Sequence, residues 1–362
     1  MTQFDALLLV SFGGPEGHED VMPFLENVTR GRNIPPARLR EVGRHYDHFG
    51  GVSPINAQNR ALLAAIQDEF ARHDLRLPVY WGNRNWHPLL DETLATMHVD
   101  GIRRVLAFFT SAYSSYSGCR QYRENLSSAL TLAGVASDMQ VERLGPYFNH
   151  PGFVEPFVDA TMVALEDLPV SRRAEAHLVF TTHSLPQGSA DTSGDGVDPE
   201  PGGAYVAQHR QVAQWVANAV ARRTGVVRPW SLAFQSRSGS PEQPWLEPDV
   251  GDHFEMLAAD GVTAVVAVPI GFVSDHVEVL WDLDVQAAAR ADDLGLAHTR
   301  ASTPSTDPRF VAMVRSLVVE RLTDRPVDQR PRINGTPAAP DRCAKGCCPN
   351  PRGAAAAVAG LD

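Results

Sequence analysis

The sequence predicts an α/β fold of two domains, each built on a parallel sheet, with a cleft between them. Three observations lead there. Apolar, β-branched runs alternate with helical patterns; the same rhythm of four strands occurs twice; and a length of 362 residues suits about two domains.

In chain order, residues 1–150 read as the first domain, with strands at Ala6 to Phe12, Pro78 to Gly82, Val105 to Phe109 and Gln140 to Arg143. A helical pattern from Ala57 to Arg72 separates the first two. Residues 151–322 repeat the rhythm, with strands at Ala176 to Thr182, Pro229 to Phe234, Val262 to Ile270 and Leu296 to Arg300, and helices at Ala204 to Arg223 and Val277 to Ala291. Sequence identity between the halves is negligible, so the duplication rests on pattern. Gln187 to Gly203 is rich in Gly, Asp, Ser and Pro without periodicity and is expected to be a surface loop. Residues 323–362 form a Pro- and Arg-rich linker, Thr323 to Arg342, then a cysteine-bearing tail with an Ala-rich stretch from Gly353 to Gly360.

Composition narrows the function. With 43% hydrophobic and 21% charged residues the chain is an ordinary globular protein. A net charge of -11 argues against nucleic acid, whose binding depends on Lys and Arg at phosphates. No stretch approaches the length of a membrane span and no basic-then-apolar leader opens the chain, so a cytoplasmic location is expected. One strip departs from the acidic average: Arg30 to His45 holds five arginines and one acid. It is either a solvated face or a landing place for substrate carboxylates, which Arg pairs bidentately.

Two motifs carry the chemistry. Thr182-His183-Ser184-Leu185-Pro186 and Ser274-Asp275-His276-Val277-Glu278 each follow a buried-strand pattern. Open α/β sheets bind ligands beyond the carboxyl ends of their strands, so His183 and Glu278 are placed to share one cleft. A neutral imidazole opposite a carboxylate can take protons from a substrate and ligate a divalent metal such as Fe2+. Asp275 and Glu278 also have the spacing of a helix capping box. Asp282 and Gln286 follow Glu278 at one-turn intervals, which makes Asp282 a candidate relay for metal entering from solvent. His276 is placed to orient its neighbours. Gly13-Gly14-Pro15 after the first strand lacks both the G-x-G-x-x-G and the Gly-Lys-Ser/Thr signatures, so nucleotide binding is rejected.

These motifs, together with Ser11-Phe12-Gly13-Gly14-Pro15, Gly50-Gly51-Val52-Ser53-Pro54-Ile55, Trp86-His87-Pro88, Trp245-Leu246-Glu247-Pro248 and the run from Pro269 to Asp284, stand in one collinear order across roughly residues 5 to 320. The chain resembles the ferrochelatases, lyases of haem and porphyrin biosynthesis that insert ferrous iron into a porphyrin. The resemblance implies two Rossmann-like domains with porphyrin between them, His183 as proton acceptor and metal ligand, Glu278 as its metal-binding partner, and Ser53, Tyr122, Phe12 and Arg30 at the porphyrin. Some relatives carry an axial Tyr after the first strand. Here Phe12 cannot ligate, which leaves product to be held through His183. The alternatives are a cobaltochelatase of the same class and a haem or iron–sulfur sensor without turnover; retention of both His183 and Glu278 argues against the latter.

Cys119, Cys343, Cys347 and Cys348 number four, the count for a 2Fe–2S cluster or an all-cysteine zinc site. The Cys-x3-Cys-Cys spacing is not that of paired zinc knuckles, and a third reading is four reduced thiols. One mid-chain and three C-terminal cysteines resemble the cluster-bearing ferrochelatases of animals and actinobacteria. The stretch Pro23 to Pro36, near the expected cleft entrance, is polar and contains Arg30 and Arg32. That, and the resemblance to actinobacterial members, favours coproporphyrin III, with its four propionates, over protoporphyrin IX, with hand-over of the coproheme product to a decarboxylase.

Overall fold

Six consecutive buried residues, Ala6–Ser11, form β1 inside the first sheet. The run shows no alternation because a parallel strand is covered on both faces. β2 (Val79–Asn83), β3 (Arg104–Phe109) and β4 (Gln140–Arg143) complete the sheet in the order β2-β1-β3-β4, all parallel. The second sheet repeats the arrangement with β5 (His177–His183), β6 (Trp230–Gln235), β7 (Ala264–Val268) and β8 (Ala297–Arg300), in the order β6-β5-β7-β8. The two-sheet α/β fold is therefore as expected, with strand ends shifted by one or two residues. In each sheet the first strand has its two successors on opposite sides, so a switch point lies beside its carboxyl end. The computed structural model describes residues 4–31, 34–195, 201–238 and 242–361.

The two halves share one core. Leu7, Leu9 and Phe108 from the first sheet belong to the same buried cluster as Leu178, Phe180 and Val266 from the second, joined through Phe153, Phe157 and Phe310. Helix Pro308–Leu322 packs both on helix Pro151–Asp167 and on helix Ile55–Arg72, carrying that core across. A buried apolar seam of this kind fixes the cleft walls more firmly than a linker does.

Three expectations are corrected. The helix expected from Val277 to Ala291 is a short α-turn, Val277–Val279, then a π-helical segment, Leu280–Ala287, then an α-turn, Ala288–Asp293. Gln187 to Gly203 is not loop throughout: Gln187–Asp191 forms a helical turn, and residues 196–200 of it lie outside the described residues. The expected linker Thr323 to Arg342 is bound down. Arg330 pairs with Asp341 at 2.6 Å, Arg342 pairs with Glu142 at 3.1 Å, and Asn149 donates to Pro337 O at 3.1 Å. Beyond it, Arg123 of the first domain donates to Val358 O at 2.6 Å. Among the described residues no helix is long and apolar enough to cross a membrane.

Candidate active site and cysteine group

β5 ends on His183 itself rather than just before it. Its Nδ1 lies 2.5 Å from Ser184 O. A carbonyl only accepts, so Nδ1 carries the proton and Nε2 is left as the free nitrogen. Nε2 stands 3.7 Å from Glu278 Oε2, and both side chains reach solvent at 34% and 48% exposure. A lone pair facing a carboxylate is an arrangement that a proton or a cation between them relieves. The sequence-predicted pair is thus brought together.

The backbone at this point depends on close approach. The loop after β7 crosses the end of β5, with Gly271 N–H donating to Thr181 O at 3.1 Å. A Cβ on Gly271 would sit 2.1 Å from Thr182 Oγ1, so only glycine lets the loop pass. The first domain then holds that loop: Tyr113 Oη donates to Ile270 O at 2.9 Å and Asp275 N–H to Gln58 Oε1 at 2.9 Å.

Asp275 and Glu278 do not form a capping box. Asp275 is bound by Arg300 at 3.2 Å and by the Thr303 hydroxyl at 3.3 Å, and His276 occupies the N-cap position without a side-chain bond. Glu278 is therefore free to face His183. His276 is half-buried beside it, stacked edge-on against Phe272 with centroids 5.4 Å apart, and burial holds its imidazole below the ordinary value.

Asp282 lies one turn further along, accepting from Gln235 Nε2 at 3.3 Å and from the Ser236 hydroxyl. Burial pushes its carboxyl up to about 7, and the nearby Glu278 charge pushes the same way. It is poised between neutral and charged, behind an exposed partner. Gln286 is exposed at the outer end of the π-helical segment. π-helical turns concentrate at functional sites because they re-aim side chains that an α-helix would carry elsewhere.

The first domain closes the other side. Helix Pro36–His48 packs on this segment, with His45 stacked on Trp281 at 4.2 Å between centroids and His48 edge-on to it at 5.5 Å. Tyr46 is buried with Val277, Phe24 and Leu25, and burial together with the Glu278 charge holds its phenol well above the ordinary value. Arg38, Arg40 and Arg44 of that helix are exposed, as is Arg30; Arg32 lies outside the described residues.

The remaining expected contacts form a separate group. Arg84 lies 4.3 Å over the Tyr122 ring and 5.6 Å over the Phe12 ring, and donates from Nε to Asn125 Oδ1 at 2.7 Å. Tyr122 is 5% exposed and packs on Phe109, whereas Phe12 is 36% exposed. Ser53 is buried against Gly14, where a Cβ would meet Ser53 Oγ at 2.9 Å. Among the described residues, no hydrogen bond or ring contact joins Ser53 or Arg30 to His183. Arg84 was missed, although it follows β2 as directly as the glycine turn follows β1, and the strand-end rule that finds His183 also finds it.

The four cysteines meet. Cys119 Sγ is 3.9 Å from Cys343 Sγ, and Cys347 Sγ is 3.8 Å from Cys348 Sγ. Two thiolates sharing one tetrahedral metal at about 2.3 Å stand about 3.8 Å apart, so each pair spans the edge of such a site. Three N–H donations aim at sulfur: the buried Arg143 reaches Cys119 at 3.0 Å and Cys343 at 3.1 Å, and Gly194 N–H reaches Cys348 at 3.1 Å. Hydrogen bonds from Cys119 and Cys347 hold the Cys343 thiol far below the usual range, while Cys347 and Cys348 are pushed up. Among the described residues, no three His, Cys, Asp or Glu side chains close on a single metal ion as they stand.

With this geometry in hand, comparison places the chain among known proteins. The ferrochelatase family model matches residues 4–322. A protein of Streptomyces coelicolor named coproporphyrin III ferrochelatase is 57% identical, over 99% of this chain and 96% of that one. One of the same name from Nocardia farcinica is 51% identical over 98% of this chain and 99% of its own length. Among solved structures, SirB from Bacillus subtilis with Fe3+ covers 89% of this chain and 98% of its own at TM-score 0.50 and 12% identity, a likeness of fold alone.

Proposed function

The chain belongs to the ferrochelatase family, and we propose that it inserts ferrous iron into coproporphyrin III, giving coproheme for haem synthesis. The observation that carries the chemistry is the pair His183 and Glu278, whose free Nε2 faces a carboxylate at 3.7 Å. A porphyrin loses two N–H protons as the metal enters. His183 Nε2, with its other nitrogen committed to Ser184 O, accepts them one at a time, passing the first through the exposed Glu278 carboxylate to water before it takes the second, and Glu278, ionised again, meets the incoming Fe2+. Asp282, able to exchange a proton near neutrality, relays cation to that pair.

Porphyrin lies against Ser53, Phe12 and Tyr122, with the exposed Arg30 near the entrance for propionates. The stacked Arg84 is a further contact on the same wall. The division into domains at residues 150 and 322 puts the base and the metal-binding carboxylate on one wall and these contacts on the other.

Cys119, Cys343, Cys347 and Cys348 hold a 2Fe–2S cluster. Sulfur pairs that span the edge of a tetrahedral site, with N–H donors directed at them, suit thiolate-held iron, and the Cys-x3-Cys-Cys spacing, unlike paired zinc knuckles, favours the cluster over zinc. When bound, such a cluster supplies a redox-sensitive crosslink; the chain's own part is to bring the sulfur of the first domain and those of the tail together, with Arg143 reaching one from each. Four unpaired cysteines suit the reducing cytoplasm, where product passes to a coproheme decarboxylase.

The test is anaerobic insertion of Fe2+, with Co2+ in parallel, into coproporphyrin III and protoporphyrin IX. A higher kcat/KM for Fe2+ with coproporphyrin III is expected. Equal values, or a preference for protoporphyrin IX, overturn the substrate and leave the family standing.

A further inference from the structure

The end of β5 is held by a buried tyrosine that the reaction scheme does not use. Tyr205, in the first turn of helix Gly203–Thr224, is 7% exposed. Its Oη lies 2.8 Å from His183 O and 2.7 Å from Thr182 Oγ1. The phenol has one proton and the carbonyl none, so Tyr205 donates to His183 O and the Thr182 hydroxyl donates to Tyr205.

Tyr205 is itself pinned on both sides. Its N–H donates to Ser193 Oγ at 2.8 Å, and its carbonyl accepts from His209 Nδ1 at 2.7 Å. The His209 ring stacks on Tyr113 with centroids 3.5 Å apart, and Tyr113 holds the Ile270 carbonyl. On the other side, Gly194, next to Ser193, exchanges two hydrogen bonds with Cys348, donating to its sulfur at 3.1 Å and accepting from its N–H at 2.8 Å. A continuous run of buried contacts thus joins the cysteine tail and the interdomain loop to one hydroxyl, and that hydroxyl to the last peptide of β5.

We propose that Tyr205 is a positioning residue for His183: it fixes the peptide whose side chain is the base, and so keeps Nδ1 on Ser184 O and Nε2 free toward Glu278. The inference rests on the reading of His183 as the base. Without the hydroxyl the His183 carbonyl loses this donor in a part-buried place, the terminal peptide of β5 turns to find another, and the 2.5 Å contact that selects the tautomer loosens. Molecules carrying the proton on Nε2 bind porphyrin and cannot accept from it.

The experiment compares Tyr205→Phe with Tyr147→Phe in the full chain. Tyr147 is a still more deeply buried tyrosine, 1% exposed, whose hydroxyl donates to Phe109 O at 2.9 Å in the first domain. The readouts are Tm, kcat and KM with coproporphyrin III, and the 15N resonances of the His183 ring, assigned by their loss in His183→Ala. Tyr205→Phe is expected to lower kcat about tenfold with KM within twofold, and to convert a single Nδ1–H tautomer into a mixture. Tyr147→Phe is expected to lower Tm alone. A Tyr205→Phe enzyme with kcat within twofold of wild type, an unchanged tautomer, or equal losses in both variants overturns the proposal. Should Tyr205→Phe fail to fold, Ser193→Ala, which removes the anchor on the Tyr205 N–H and a long contact to Gly202 O, is read the same way. If His183→Ala keeps its rate, the assignment of the base fails, and the tautomer measurement still decides whether Tyr205 sets the ring.

Discussion

Asp275 lies on the guanidinium of Arg300, 3.2 Å away, and not on the helix it precedes. That choice of partner separates two carboxylates with the spacing of a cap into a structural one and an exposed one. Arg300 also pairs with Asp284 at 2.5 Å, so one cation on β8 holds both the loop before Glu278 and the π-helical segment after it. Asp275→Ala is expected to destabilise the protein by about 1–3 kcal/mol by leaving a largely buried guanidinium short of a partner, and to lower kcat as Glu278 loses its fixed base. Denaturant melts and steady-state rates on the same preparation check this; an unchanged midpoint counts against it.

Removing the base has a sharper signature. His183→Ala is expected to fold and bind porphyrin while losing about a hundredfold or more in metal insertion, the contribution of a placed general base. Porphyrin titration followed by Soret absorption, alongside turnover, separates binding from chemistry. A variant with more than about a tenth of the wild-type rate would show that another group takes the protons.

The cysteine group predicts colour. Protein purified without oxygen is expected to be red-brown with two irons per chain, and Cys119→Ser or Cys347→Ser to be colourless. Colourless wild type containing zinc or no metal decides against the cluster.

Burial sets an acid limit on the fold. It pushes the imidazoles of His150 and His209 down to about 3 and that of His177 to about 4. Unfolded, each titrates near 6.5, so below that pH the unfolded chain takes up protons the native one refuses. Stability is therefore full above about pH 6.5 and lost progressively toward pH 3 to 4. Thermal melts from pH 8 to 5 are expected to fall in Tm, and His209→Gln to fall less steeply. Parallel slopes for the two proteins refute the assignment.

What was legible in the sequence had a short-range cause. β1, β5 and β7 declare themselves as unbroken apolar runs because both faces of a parallel strand are covered, and His183 follows from where such a strand ends. The π-helical segment did not declare itself, since the apolar spacing of Val277, Val279, Leu283 and Ala287 fits an ordinary helix within a residue. The contacts of Tyr205 and of Arg84 were invisible for another reason, although the strand-end rule marks the position of Arg84. Each acts across a distance in sequence, Tyr205 on a strand 22 residues earlier and Arg84 between rings at positions 12 and 122. The anchored linker fails likewise: Arg330 and Asp341 look like solvated charges until the fold brings Glu320 and Arg321 beneath them.

Cys119 and Cys343 are 224 positions apart, and the whole second sheet lies between them. During synthesis the first of these sulfurs waits while five strands and the helices around them are made, and it acquires sulfur neighbours only when the segment carrying Cys343 to Cys348 emerges. Assembly of the sulfur site is thus a late event in the life of each molecule. A chain interrupted before that segment holds both His183 and Glu278 but lacks the contact at Gly194, so translation itself orders the steps: first the walls of the cleft, last the knot that ties them.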